Sequence, residues 1–147
     1  MRAVNHTVTG AIIAGSIANP AVGLSAAFLS HFVLDMLPHY GGEDTKSKQF
    51  LYGLALDAGL AASFLLAVLL LQPDNWVVMI AGGMLAASPD LLWFPYWVLE
   101  LRGKPRQPGR VSHFLGWIQW CERPWGIYVE IVWLIAALFV FMRVMSL

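Results

Sequence analysis

Long apolar runs broken by short polar stretches divide the chain into five segments. The first runs from about His6 to Ala18 and the second from about Ala21 to Leu37, with Asn19-Pro20 between them. Proline disfavours helix at the residue before it and suits the first position of a new helix, so this pair predicts a stop and a restart. The third segment runs from about Lys48 to Leu71 and closes before Pro73. A fourth starts near Asn75 and reaches Leu101, broken at Ser88-Pro89-Asp90, where Ser88 is expected to cap a new helical start. The fifth runs from Pro124 to about Met145. Between the last two lies a polar connector, Arg102 to Arg110, and then Ser112 to Glu122, whose Phe114, Trp117, Ile118 and Cys121 recur at helical spacing. That piece reads as an interfacial helix, with Trp117, Trp120 and Trp125 at headgroup depth.

Composition turns these segments into membrane elements. Of 147 residues, 59% are apolar and 12% charged, with a mean hydropathy of +0.65; soluble domains average about 45–50% and about 25%. The expectation is one all-α transmembrane domain spanning residues 1–147, with about five apolar helices and no separate soluble module. Balanced charge gives no reason to expect nucleic acid as a partner. The lone Cys121 excludes an internal disulfide and a cysteine-based zinc knuckle. Met1 to Gly10 has no distinct apolar core and cleavage box, so no secretory signal is read there.

Basic residues set the orientation. Arg102, Lys104, Arg106, Arg110 and Arg123 follow the fourth segment, and Lys46 and Lys48 follow the second, whereas Gln72 to Asn75 has none. Both basic loops are therefore expected in the cytoplasm of an inner-membrane, multi-pass protein. Arg2 agrees; Arg143 dissents, although a long side chain near a helix end can snorkel. At 1.5 Å per residue the first two segments reach only about 20 and 25 Å, short of the roughly 30 Å hydrocarbon core. They are expected to form a short hairpin with both ends cytoplasmic.

The chemistry lies in ionisable residues within or beside these segments: His31, Asp35, Asp57, Asp90 and Glu130. Each charge in a bilayer costs about 2.5 kcal/mol or more, so such groups face the protein interior and mark sites by default. In Ser30-His31-Phe32-Val33-Leu34-Asp35-Met36-Leu37-Pro38-His39, His31 and Asp35 are four apart and share a helix face. They can ligate one metal, and Pro38 ends the helix so that His39 can turn back toward it. A hairpin returns His6 to the same place. Imidazole with carboxylate suits zinc, with manganese or iron as alternatives; the bland reading is a hydrogen-bonded His–Asp pair.

Asp90, at a broken helix, is a candidate ligand or general base, against a capping aspartate. Asp57 and Glu130 lack local motifs and are candidate bases, against pairing with Arg or backbone. These three acids spread over roughly 9–17 Å of depth. His113 on the connector and Glu43-Asp44 in the second loop need no functional account, and Trp93, Tyr96 and Trp97 read as an aromatic belt. Gly10, Gly15 and Gly23 read as close-packing positions.

Asn5-His6 followed by Gly10, the Ser30 to His39 block, and Ser88-Pro89-Asp90-Leu91-Leu92 resemble the N-terminal His, the His/Asp helix and the Pro-Asp element of the YdjM-like family, LexA-binding inner-membrane-associated hydrolases of bacteria and archaea. The resemblance covers roughly residues 3 to 95 and implies membrane-embedded, metal-dependent hydrolysis. The His31 to His39 block is also similar, over fewer residues, to the His-x3-Asp, Pro and His element of soluble zinc-dependent phospholipases C. Their second His lies further on, and their N-terminal tryptophan ligand has no counterpart in this chain.

The expected mechanism holds a divalent metal, zinc first, on His6, His31, Asp35 and one or both of Asp90 and His39. Asp57 or Glu130 then takes the proton, and connector cations attract the anionic headgroup of a lipid or lipid-linked phosphoester or ester. Two other classes stand beside it. A small ion or proton transporter or channel should show internal repeats, and the His/Asp block has no later counterpart. A non-catalytic assembly protein would use its glycines to form homo-oligomers and its acids as interhelical glue.

Overall fold

A computed structural model describes residues 1–41, 44–104 and 109–145; Glu43 and Arg106 lie outside them. The described residues form helices α1 (Ala3–Ser16), α2 (Pro20–Asp35), α3 (Lys48–Leu71), α4 (Trp76–Ala87), a 3-10 turn (Ser88–Trp93), α5 (Phe94–Leu101), α6 (Arg110–Ile118) and α7 (Gly126–Met145). Three stretches are long and apolar enough to cross a membrane: Lys48–Leu71, Trp76–Leu101 and Gly126–Val144. At 1.5 Å per residue their 24, 26 and 19 residues reach about 36, 39 and 28 Å. α1 and α2, at 14 and 16 residues, fall short.

Sequence signals explain the boundaries. Asn19 caps α2, its Oδ1 accepting from Ala21 N at 3.0 Å and Val22 N at 3.4 Å, with Pro20 in the first turn. Ser47 caps α3 by accepting from Phe50 N at 3.0 Å. Gln72 and Asn75 both take left-handed backbone (φ 44° and 63°), turning α3 tightly into α4 around Pro73. Ser88 departs from expectation. Pro89 has no N–H to give the Leu85 carbonyl, which accepts instead from the Ser88 backbone N–H and, at 2.8 Å, from the Ser88 hydroxyl. The chain tightens into the 3-10 turn rather than starting a capped α-helix.

α1 is the hub, packed against α2, α3, α4 and α7. Its residues Val4, Val8 and Ala11 join Phe64, Val68, Met79, Ala137 and Phe141 in the buried core, where Phe64 and Phe141 meet edge to face at 4.9 Å. Small residues let α1 and α4 approach closely; Cβ atoms placed on Gly10 or Gly82 would overlap the opposite backbone. Gly15 abuts Met79 and Gly23 abuts Ala14, so the three glycines read as packing positions serve contacts inside this chain. α3 and α7 bury few of their residues, and leucines such as Leu56, Leu70 and Leu71 face outward. An apolar exterior around a core holding His, Asp and Glu suits lipid surroundings better than water.

The loop after α2 is pinned to the start of α7. Arg123 N donates to the His39 carbonyl at 2.9 Å, and Gly126 lies so close to His39 backbone that no Cβ fits between them.

Candidate metal centre

The site forms where the N-terminal hairpin meets the break in the fourth segment. His6 sits near the start of α1, and α1 is fixed from outside itself. Its first turn has no side-chain cap of its own, and Asp57 of α3 supplies one, accepting from Ala3 N at 2.8 Å and Val4 N at 3.0 Å. Glu130 of α7 accepts from Arg2 N and from Tyr40 N, each at 3.2 Å. Two acids from the long helices thus set the height and rotation of the helix that carries His6.

His31 and Asp35 lie one turn apart at the end of α2, and both are buried. His31 Nδ1 is 2.8 Å from the Ala86 carbonyl oxygen in the last turn of α4. A carbonyl only accepts, so Nδ1 carries the hydrogen and the lone pair of Nε2 faces the other way. It faces acids: Nε2 is 3.3 Å from Asp35 Oδ2 and 3.8 Å from Asp90 Oδ1. His6 Nε2 lies 3.1 Å from Asp35 Oδ1, and the two imidazoles stack with centroids 4.1 Å apart. The Met1 nitrogen also sits on Asp35 Oδ1, and Gln119 Nε2 donates to Asp35 Oδ2 at 3.4 Å.

One ligand atom each from His6, His31, Asp35 and Asp90 falls within 4.8 Å of every other. Tetrahedral zinc, with bonds of about 2.0–2.1 Å, spaces its ligands about 3.3–3.4 Å apart; His6 and His31 each approach one Asp35 oxygen at about that distance, Oδ1 and Oδ2 respectively, and Asp90 stands further from His31 at 3.8 Å. The group therefore has the make-up to hold a metal ion. His6 gives the strongest sign. It is wholly buried; among the described residues its Nδ1 has no hydrogen-bond partner, and the one polar contact of its Nε2 is the 3.1 Å approach to Asp35 Oδ1. A buried polar atom without a partner costs about 1–3 kcal/mol, and an ion between His6, His31 and Asp35 would relieve it. Outer contacts fit as well: the Ala86 carbonyl orients His31 as second partners orient ligating histidines.

The structure gathers four of the residues singled out from sequence and places the others elsewhere. His39 is buried, but its Nδ1 is 2.8 Å from the Leu37 carbonyl and its Nε2 faces Glu122 Oε1 at 3.7 Å. α2 ends before Pro38, and the chain there is drawn toward α7 instead of back onto Asp35. Asp57 and Glu130 hold the N-terminal segment by its backbone, and His113 is exposed on α6. Gln119 and Glu122 carried no signal in the sequence; a polar residue in an interfacial helix is the ordinary case, and only the fold brings Gln119 to Asp35.

A cavity of about 520 Å³ opens beside the centre. Asp90 belongs to both: its side chain is 31% exposed, while those of His6, His31 and Asp35 are almost fully covered. The 3-10 turn and α5 supply one wall with Trp93, Tyr96, Trp97 and Glu100, and Arg2, Phe50 and Asp57 face it. No protein-family model matches this chain, and no curated protein or solved structure matches it.

Proposed function

We propose that this chain is a membrane-embedded, metal-dependent hydrolase acting on a lipid or lipid-linked phosphoester or ester from the cytoplasmic side of the inner membrane. Supporting observations are the buried His6 ring, whose Nδ1 has no hydrogen-bond partner among the described residues, beside His31 and Asp35, the cavity that reaches the group at Asp90, and the resemblance of the Asn5-His6, Ser30–His39 and Ser88–Leu92 elements to the YdjM-like family. In this reading His6, His31 and Asp35 would hold the ion, a two-histidine, one-carboxylate donor set of the kind that catalytic zinc sites use. When bound, a divalent cation, zinc first, supplies Lewis acidity: it polarises the scissile oxygen and makes water a nucleophile near neutral pH.

The chain's own groups do the rest. The Ala86 carbonyl keeps the proton of His31 on Nδ1, leaving Nε2 to ligate. Asp90, the one member with surface on the cavity, accepts the proton from the attacking water at a carboxylate oxygen. Asp57 and Glu130 are less suited to that task, since both carboxylates already accept backbone N–H groups. Burial of His6, His31 and Asp35 at 0–1% exposure keeps bulk water from the group.

Elemental analysis of the purified protein tests this reading. Wild type should carry about one equivalent of zinc, manganese or iron, and His31→Ala and Asp35→Ala should carry less than a tenth of that. Equal, near-zero metal in all three overturns the hydrolase reading and leaves the His–Asp contacts as interhelical hydrogen bonding.

A further inference from the structure

The cavity beside Asp90 has a charge balance that an anionic ligand does not match. Among the described residues, its walls carry the carboxylates of Asp57, Asp90, Glu100 and Glu122 against two cations, the Arg2 guanidinium and the Met1 α-ammonium, and the latter is paired with Asp35. Arg2 is already engaged: Nε is 3.6 Å from Glu130 Oε2, a terminal nitrogen donates to the Gly53 carbonyl at 3.3 Å, and the guanidinium carbon lies 5.4 Å from the Tyr40 ring centroid. Asp57 is satisfied by the first turn of α1. A divalent cation on the neighbouring group would balance Asp35 and Asp90.

Glu100 and Glu122 then remain. Glu100 makes no ion pair among the described residues, and Glu122 has only His39, at 3.7 Å. The same cavity is lined by aromatic rings, with Trp97 packed against Phe50 at 6.3 Å between centroids. Carboxylates bordering aromatic rings attract cations through both charge and ring quadrupole, and they repel phosphate. A low-dielectric setting strengthens both effects.

We propose that this cavity binds a ligand bearing an ammonium group, primary or alkylated, with its charge held by Glu100 and Glu122 against the Trp97 side of the wall. Calling that ligand a substrate rests on the hydrolase reading; the binding itself does not need the metal. The bond to be cut then lies at the Asp90 end and the cation at the α5 end.

Titration of the full chain in maltoside micelles tests the proposal, with intrinsic tryptophan fluorescence and calorimetry as readouts. The probes are choline, its uncharged isostere 3,3-dimethylbutan-1-ol, and inorganic phosphate. Choline should bind saturably, the isostere at least tenfold more weakly, and phosphate, offered to chelator-treated protein so that no metal can hold it, more weakly still. Glu100→Gln should weaken choline at least fivefold with metal content unchanged, and this variant decides the matter because Glu122 also faces His39. Equal binding of choline and its isostere, no choline binding, or tighter phosphate than choline binding by chelator-treated protein overturns the proposal.

Chelator-treated protein should bind choline as wild type does, so loss of the metal reading and loss of this one are told apart. Nanodiscs separate the sources of the ammonium group. A lower choline affinity in phosphatidylethanolamine than in phosphatidylglycerol discs assigns it to a lipid headgroup; equal affinity assigns it to a soluble amine.

Discussion

Gly10 of α1 and Gly82 of α4 cross backbone to backbone: a Cβ on Gly10 would lie 2.6 Å from the Gly82 carbonyl oxygen, and one on Gly82 would lie 2.7 Å from that of Gly10. Real Cβ atoms do not approach so closely, so the two helices can meet this way only through glycine. The crossing sets the metal centre, because α1 carries His6 one turn before Gly10 and α4 ends in a turn that includes Ala86, the partner of His31. Gly82→Val should therefore separate the helices, lower stability by about 1–3 kcal/mol and reduce metal retention in parallel. Gly59→Ala, where the added atom meets nothing within 4 Å, should change neither. Thermal unfolding in detergent and elemental analysis of the same samples check both.

His6 offers a sharper separation of stability from binding. In metal-free protein its Nδ1 is buried without a hydrogen bond among the described residues, a liability of about 1–3 kcal/mol. His6→Leu removes that liability and keeps most of the volume. The variant should unfold no earlier than metal-free wild type, and it should lose metal retention. A destabilised His6→Leu that keeps its metal would show that His6 is a structural residue.

Asp57 is tested by comparing two substitutions. Asp57→Ala strips the acceptor from the Ala3 and Val4 N–H groups and should cost about 1–2 kcal/mol, the range for losing a helix cap. Asp57→Asn keeps one acceptor oxygen and should recover most of the stability. Once a substrate is in hand, Asp57→Asn should also retain most of the turnover, whereas a proton-accepting Asp57 would lose it in both variants.

Gly126→Ala should disturb the loop after α2 without touching the four-residue group directly. The added Cβ would lie 2.1 Å from the His39 carbonyl carbon, so the loop must move and the contacts of His39 with Arg123 and Glu122 must break. Faster proteolysis between His39 and Lys48, read by mass spectrometry, is the expected result. Unchanged cleavage would mean that the junction is loose in the native protein.

Local signals carried much of the site. Asn19-Pro20 gave the turn between α1 and α2, the four-residue spacing gave the His31/Asp35 face, and together they brought His6 to His31. Pro89 marked the break that places Asp90, although the role of Ser88 differed: with no proline N–H in reach, the Leu85 carbonyl accepts from the Ser88 backbone N–H and from its hydroxyl, which turns back rather than forward to cap a helix. Asp57 and Glu130 could not be read in the same way. Their partners are backbone N–H groups 54 and 128 residues away, and backbone donors leave no trace in a side-chain pattern. His39 shows a similar limit, since Pro38 predicts where a helix ends but not which way the chain leaves. Gln119 became visible only when the end of α6 was placed beside Asp35.

The 3-10 turn divides one long apolar stretch into parts with separate duties. The part before Ser88 fixes α1 and orients His31, and the part after Trp93 shapes the aromatic wall, with Asp90 at the joint between them. Sequence drift or deliberate redesign in α5 can therefore retune which molecules are accepted while the inner histidine–aspartate chemistry stays as it is.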